Sequence, residues 1–266
     1  MQLDLYSLWQ FRDLIWLFSK RDYVTLYKQT VLGPLWYLIQ PILTALTYYI
    51  VFGRIANLPT NGVPAFLFYM AGIVIWGYFS NCMTNNSEIF SKNAALFGKV
   101  YFPRLVVPIS VAISGLVAFA IQFFLLLIVI VAFAITSDSV FFPRFTILLV
   151  PLLICYVAFL GVGVGLIVSA VTVRFRDLAY AAGFATQLWM YATPVVYPYS
   201  QIPEKYQWIF CFNPMSSPIE TMRFLMFDTA SVPVELWMGN LSVTAVLFVC
   251  GMLLFSRAES LAMDTV

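Results

Sequence analysis

Six stretches of this sequence run for 21 to 33 residues without a single Asp, Glu, Lys or Arg: 29–53, 55–87, 105–137, 145–173, 178–203 and 236–256. A charge at the centre of a bilayer costs about 2.5–3.5 kcal/mol on insertion scales, so charge-free runs mark where a chain can cross. Each run reaches the length of about 20 apolar residues that a crossing helix needs. Of 266 residues 62% are apolar and only 10% charged. A soluble domain carries about 45–50% apolar and about 25% charged residues. One soluble core of this length could not hide so much apolar surface. The sequence therefore predicts an all-α membrane protein with six transmembrane helices, at about 33–54, 64–86, 106–135, 145–172, 178–198 and 236–256. Asn57-Leu58-Pro59-Thr60-Asn61-Gly62 supplies the turn between the first two, because Pro and Asn-Gly break helices.

Residues 1–31 precede the first span, and Asp4, Arg12, Asp13, Lys20, Arg21, Asp22 and Lys28 prevent them from crossing. Leu5, Leu8, Trp9 and Trp16 recur at helical spacing between those charges. The pattern is that of an amphipathic helix lying in the interface. A cleavable signal peptide fits less well, because charges interrupt its apolar core. With the N-terminus inside, the inner segments hold Arg12, Lys20, Arg21, Lys28, Lys92, Lys99, Arg104, Arg174, Arg176 and Arg257. The outer ones hold only Arg54, Arg144, Lys205 and Arg223. Ten cations against four place both termini, including the tail 259–266, in the cytoplasm.

Residues 199–235, between the fifth and sixth spans, fall outside. They contain Trp208-Ile209-Phe210-Cys211-Phe212 and Phe224-Leu225-Met226-Phe227, apolar but too short to cross, and Asn213-Pro214 and Pro218 divide them. Two short helices forming a re-entrant outer hairpin account for this, provided their backbone is buried in protein. An interfacial loop with aromatic anchors is the alternative.

Several chemistries are excluded. There is no histidine and no phosphate-loop motif, and the net charge of +2 is too small and too dispersed for a nucleic-acid footprint. Cys82, Cys155, Cys211 and Cys250 have no metal-site spacing. No metal or other cofactor is expected. None of the twelve Asp and Glu residues falls mid-span, so the proton or sodium relay of a coupled carrier is missing. Uphill transport would need energy from a separate subunit. A membrane-embedded enzyme acting on lipid-linked sugars is the rival class; it would have to use Asp138, Glu220 or Asp228 at the outer face.

Aromatic residues are the positive signal. Trp36, Tyr37, Tyr48, Tyr49, Phe68, Tyr69 and Trp76 crowd the first two spans, and Trp189, Tyr191 and Tyr197 the fifth. Many such residues anchor membrane interfaces. A sliding sugar chain would use the same chemistry, since aromatic faces contact sugar C–H groups and Tyr and Trp edges bond hydroxyls. Gly161, Gly163 and Gly165 let another helix approach the fourth span closely, within the subunit or across a dimer seam.

Particular strings carry more. Lys20-Arg21-Asp22, Tyr27-Lys28-Gln29-Thr30-Val31-Leu32-Gly33-Pro34-Leu35-Trp36 and Gln40-Pro41 resemble the start of the first span in ABC type-2 polysaccharide exporter permeases. Lys99-Val100-Tyr101-Phe102-Pro103-Arg104 and Arg174-Phe175-Arg176-Asp177-Leu178 are similar to that family's cytoplasmic loops. Thr193-Pro194-Val195-Val196-Tyr197-Pro198, Asn213-Pro214 and Arg223 match its outer gate. The blocks occur in family order over essentially the whole chain.

The resemblance implies the membrane subunit of an exporter for O-antigen, capsular polysaccharide or teichoic acid, with O-antigen the first choice. A permease for a small lipid or drug is the alternative cargo. It further implies a homodimer, two ATP-binding ABC subunits that hold the ATP, a lipid-linked glycan on undecaprenyl diphosphate, and the bacterial inner membrane. The subunit itself is then not an enzyme. By the same resemblance, 88–104 is a coupling loop to the ATPase, with Glu88, Lys92, Lys99 and Arg104 fixing its register; lipid anchoring is the plainer role for these charges. Arg21 and Lys28 stand where a lipid diphosphate would arrive, or simply anchor the inner face. Arg174, Arg176 and Asp177 are placed to close an inner gate.

Overall fold

The computed structural model describes residues 5–27, 31–97, 102–136, 145–175 and 177–264. All regular structure among them is helical. Lys28, Lys99 and Arg176, three of the expected site residues, lie outside the described residues, as do Asp138 and Arg144.

At the N-terminus, α1 (Leu5–Gln10) and α2 (Arg12–Tyr27) form the amphipathic element, broken at Phe11. Helix α2 buries Phe18 edge-on against Phe102, with ring centroids 5.6 Å apart, while Trp9 and Trp16 stay exposed. This division suits a helix resting on the bundle with aromatic side chains at lipid headgroup level.

Among the described residues five helical segments are long and apolar enough to cross a bilayer: Gly33–Ile55, Ala65–Ser87, Val106–Thr136, Phe145–Thr172 and Val234–Ala258. The first is composite. It comprises α3 (Trp36–Tyr48), then a wide π turn over Tyr49–Ile55 that closes with Ala56 N–H on the Val51 carbonyl. The others are α4 (Ala65–Ser87), α6 (Val106–Thr136), α7 (Val150–Thr172) and α11 (Val234–Asp264), with α5 (Ile89–Phe97) between α4 and α6.

Helix α4 is the axis of the subunit. It is apolar on all sides and buried over most of its length, as expected of a helix surrounded by others. Helices α3, α6, α7 and the outer α10 (Ser216–Phe227) pack around it. The glycines of α7 explain its fit. A Cβ on Gly161 would stand 2.7 Å from Cys82 Cβ, and one on Gly165 2.9 Å from the Met83 carbonyl oxygen of α4. One on Gly163, on the other side of α7, would stand 2.8 Å from Phe248 Cα of α11. Of the two readings of this glycine run, the structure supplies close packing inside the subunit.

The expected fifth span differs from its expectation. Helix α8 (Leu178–Tyr191) has 14 residues, about 21 Å at 1.5 Å per residue and short of the hydrocarbon thickness of about 30 Å. Pro194 and Pro198 stop it, and buried turns over 193–196 continue the chain. Beyond them stand two short helices in the expected outer segment, α9 (Glu204–Phe210), largely exposed, and α10, largely buried.

Candidate functional site

The end of the bundle against which α2 rests holds a polar cleft of about 540 Å³ between α2, α4, α5 and α6. Arg21 and Asp22 line it from α2, Asn81 and Asn85 from the last turns of α4, and Lys92 and Asn93 from α5. Asn81 and Asn85 share one face of α4 because residues four apart stack on a helix. Gly115 of α6 makes room for the first of them: a Cβ there would stand 3.0 Å from Asn81 Oδ1. The Asn81 carboxamide makes no hydrogen bond to any described residue. Lys92 Nζ donates to Asn85 Oδ1 at 3.3 Å, and Arg21 Nη2 to Asn93 Oδ1 at 3.4 Å. The long chord between Arg21 and Asn93 ties the interfacial helix to α5.

Each cation also has a carboxylate neighbour, Arg21 with Asp22 at 2.8 Å and Lys92 with Glu88 at 2.7 Å. Both pairs are partly exposed, and such pairs contribute only about 0.2–1 kcal/mol. A phosphate offering bidentate, charge-assisted bonds can displace them.

Of the expected coupling residues, Lys92 therefore stands in the same cleft as Arg21. Arg104 points inward: it is buried, its guanidinium 5.1 Å from the Phe97 ring centroid. Helix α5 occupies the first part of this loop. In the expected inner gate, Arg174 lies over its neighbour Phe175 at 5.6 Å. The described residues hold no ion pair between Arg174 and Asp177.

The aromatic residues divide into two groups. Phe68, Tyr69 and Trp76 are buried in the α4 core, and Tyr48 is buried beside them with its hydroxyl 3.5 Å from Met190 Sδ. In this conformation all four pack in the hydrophobic core of the subunit. Trp189 packs on Phe79 and Trp76, at 5.1 and 6.3 Å between centroids, and donates its indole N–H to Asn213 Oδ1 at 3.0 Å. Tyr49 accepts from Arg54 Nε at 2.7 Å. Tyr197 donates to the Tyr191 carbonyl at 3.4 Å. Trp36 and Tyr191 are exposed, and Tyr37 lines the polar cleft.

Helix α8 is open on most sides, with Thr186 its only fully buried residue. Gln187 is exposed alongside Tyr180, Phe184, Leu188 and Tyr191. A carboxamide turned toward hydrocarbon leaves its hydrogen bonds unmade, at a cost of several kcal/mol. The Gln187 side chain therefore suits a protein partner or an aqueous path better than lipid.

The opposite end of the bundle is organised by Arg223 of α10. Its side chain is fully buried. Nη1 donates to the Pro194 carbonyl at 2.7 Å and to Glu220 Oε1 at 2.9 Å, and Nη2 to the Val195 carbonyl at 2.6 Å. Glu220 also accepts the Tyr199 N–H at 3.0 Å. Asn213 braces the same turn, donating to the Ala192 carbonyl and Thr193 Oγ1. The strings 193–198, Asn213-Pro214 and Arg223 thus converge in one cluster. Sequence reasoning missed Asn81, Asn85 and Asn93; the signal for the first two was a row of carboxamides at the end of an otherwise apolar span.

A multi-pass helical subunit with no nucleotide-binding motif of its own is what the membrane half of a two-component transporter requires. The sequence profile of the ABC-2 type transporters matches residues 13–227, and the chain belongs to that family. It is similar to the O-antigen export system permease protein RfbA of Klebsiella pneumoniae, with 31% identity over 225 residues, 84% of this chain and 83% of that protein. It is also similar to the protein of the same name from Myxococcus xanthus, with 28% identity over 260 residues, 96% of each. The chain is accordingly a transport subunit, of a family that works with ATP-binding ABC subunits.

Proposed function

We propose that this chain is the membrane subunit of an ATP-driven exporter that moves a lipid-linked polysaccharide, in the first place an undecaprenyl-diphosphate-linked O-antigen, across the bacterial cytoplasmic membrane. The observation that carries this reading is the similarity to O-antigen export permeases over nearly the full length of both chains. Two copies assemble through faces that include α8, whose exposed tyrosines and Gln187 carboxamide suit a channel wall better than lipid. Two ATP-binding subunits bind and hydrolyse ATP and dock on α5 and the loop after it. Both termini lie in the cytoplasm.

Six crossings follow if the segment 192–198 completes the path that α8 begins. Irregular backbone at membrane depth is tolerated where protein buries it and satisfies its polar groups. Arg223 does this for the carbonyls of Pro194 and Val195. Helices α9 and α10 then form the re-entrant outer hairpin and gate the channel mouth. The glycan arrives laterally from the inner leaflet with its diphosphate near Arg21 and Lys28.

The test is assembly and export together. The chain should co-purify with its ATP-binding partner. Cells lacking it should keep lipid-linked glycan inside and lose it from the surface. Surface glycan that persists without the chain would overturn the assignment.

A further inference from the structure

The inner cleft has a composition that export alone does not require. A surface that only attracts diphosphate would carry surplus cations. Here Arg21 and Lys92 each have a carboxylate close by, Asp22 and Glu88. What the cleft adds is carboxamides: Asn81, Asn85 and Asn93 line it from α4 and α5, with Ser114 and Thr25 beside them. A carboxamide offers two donors and an acceptor that takes two bonds, and so can pair with vicinal hydroxyls, which are donor and acceptor alike. The Asn81 carboxamide has no hydrogen-bond partner among the described residues although it lies half-buried at a helix–helix approach. A cavity of about 540 Å³ falls in the range of small-molecule sites and holds more than a diphosphate.

We infer that this cleft is a recognition site for the sugar directly attached to the lipid diphosphate, with Asn81 and Asn85 reading the sugar and Arg21 and Lys92 holding the phosphate edge. The inference rests on the export reading and deepens it: the subunit selects its cargo at the entrance by the first sugar, before the polymer threads. Asn85 is the bridge between the two functions, since it already accepts from Lys92. Binding a phosphate at Lys92 frees the Asn85 oxygen for a sugar hydroxyl. Asn93 plays the corresponding part for Arg21.

The experiment compares lipids on the purified permease–ATPase complex in nanodiscs. The probes are farnesyl diphosphate and the same lipid carrying a single glucose, galactose or N-acetylglucosamine. At least one glycosylated lipid should bind about tenfold or more tighter than the bare diphosphate, the yield of one or two well-made hydrogen bonds. Asn81→Ser and Asn85→Leu should each shrink that preference severalfold, read as the ratio of glycosylated-lipid to bare-diphosphate affinity within the same variant. Lys92→Gln and Arg21→Gln should weaken both kinds of lipid together. Equal binding of all four lipids by the wild-type complex overturns the inference and needs no variant to fold. A preference that survives both Asn substitutions in a properly assembled complex overturns it too. Loss of surface glycan in cells lacking the chain, combined with equal lipid binding, would spare the export assignment and sink only this site.

Discussion

Arg223 holds its guanidinium carbon 3.5 Å from the centroid of the Phe68 ring, with no solvent exposure on the arginine. A cation over an aromatic face is worth about 2 kcal/mol when desolvated. Alone, that would not offset several kcal/mol for burying a charge. The remainder comes from Glu220 and from the Pro194 and Val195 carbonyls. Gly72 makes the approach possible, since a Cβ there would stand 3.1 Å from Arg223 Nη2. One side chain thus joins α10, α4 and the turn that follows α8.

Arg223→Ala should destabilise the subunit by about 3–5 kcal/mol, because it leaves Glu220 unpaired and two buried carbonyls without donors. Arg223→Met with Glu220→Gln should recover part of this loss, since neither side chain then carries a buried charge. Thermal unfolding of the detergent-solubilised protein measures both. Equal stability of wild type and Arg223→Ala would mean the network contributes nothing net.

Helix α7 has no room for a side chain at Gly161 and Gly165, where it meets α4 most closely. Gly165→Leu would drive a Cβ to 2.5 Å from Asn86 Cβ, and the rest of the leucine further in. Overpacking of a fitted core costs typically about 1–3 kcal/mol, and more where backbone must move. The variant should fail to accumulate in membranes, whereas Gly62→Asn, in a turn at φ +80° with nothing within 4 Å, should accumulate normally. Immunoblots of membrane fractions decide the comparison.

The spans were legible because charge-free length is a property of the chain alone, and so was the break at Asn57–Gly62. The shortness of α8 was less so: its charge-free run extends to Pro203, and although Pro194 and Pro198 mark a break, only the hydrogen bonds from Arg223 reveal that the turn after the helix is buried and satisfied. Charge placement singled out Arg21, which lines the cleft between α2, α4, α5 and α6. It could not show that Asn93, 72 residues away, bonds to it. The aromatic residues were the least legible, because a buried tyrosine and an exposed one have the same sequence neighbours. Tyr69 and Tyr191 are told apart only by burial.

That difference yields a paired prediction. Tyr69→Ala removes a ring packed against Tyr48, Phe52 and Phe68, and should cost about 3–5 kcal/mol, as large-to-small core replacements of aromatics do. Tyr191→Ala removes a ring that is 53% exposed and should leave unfolding within about 0.5 kcal/mol of wild type, as for other surface changes. Export should fail in the first through loss of protein, and fall in the second with protein level unchanged. Full export by Tyr191→Ala would take it out of the glycan path.

Gly183 gives the sharpest test of which way α8 faces. It stands four residues before the exposed Gln187 and so shares its side of the helix. A Cβ added there meets nothing within 4 Å in the isolated subunit. Exchanging glycine for leucine inside a helix gains roughly 0.5–1 kcal/mol of intrinsic propensity. Gly183→Leu should therefore melt at or slightly above the wild-type temperature. If α8 lay against lipid, the added apolar side chain would be harmless to transport as well. Facing a second subunit or a sugar chain, it fills space that the function needs, and export should drop sharply while stability and membrane insertion hold. Crosslinking through Gly183→Cys separates the two ways of filling that space: a disulfide-linked dimer places the helix at the subunit seam, and its absence with lost export places it on the glycan path. Undiminished export by Gly183→Leu would set α8 against the bilayer.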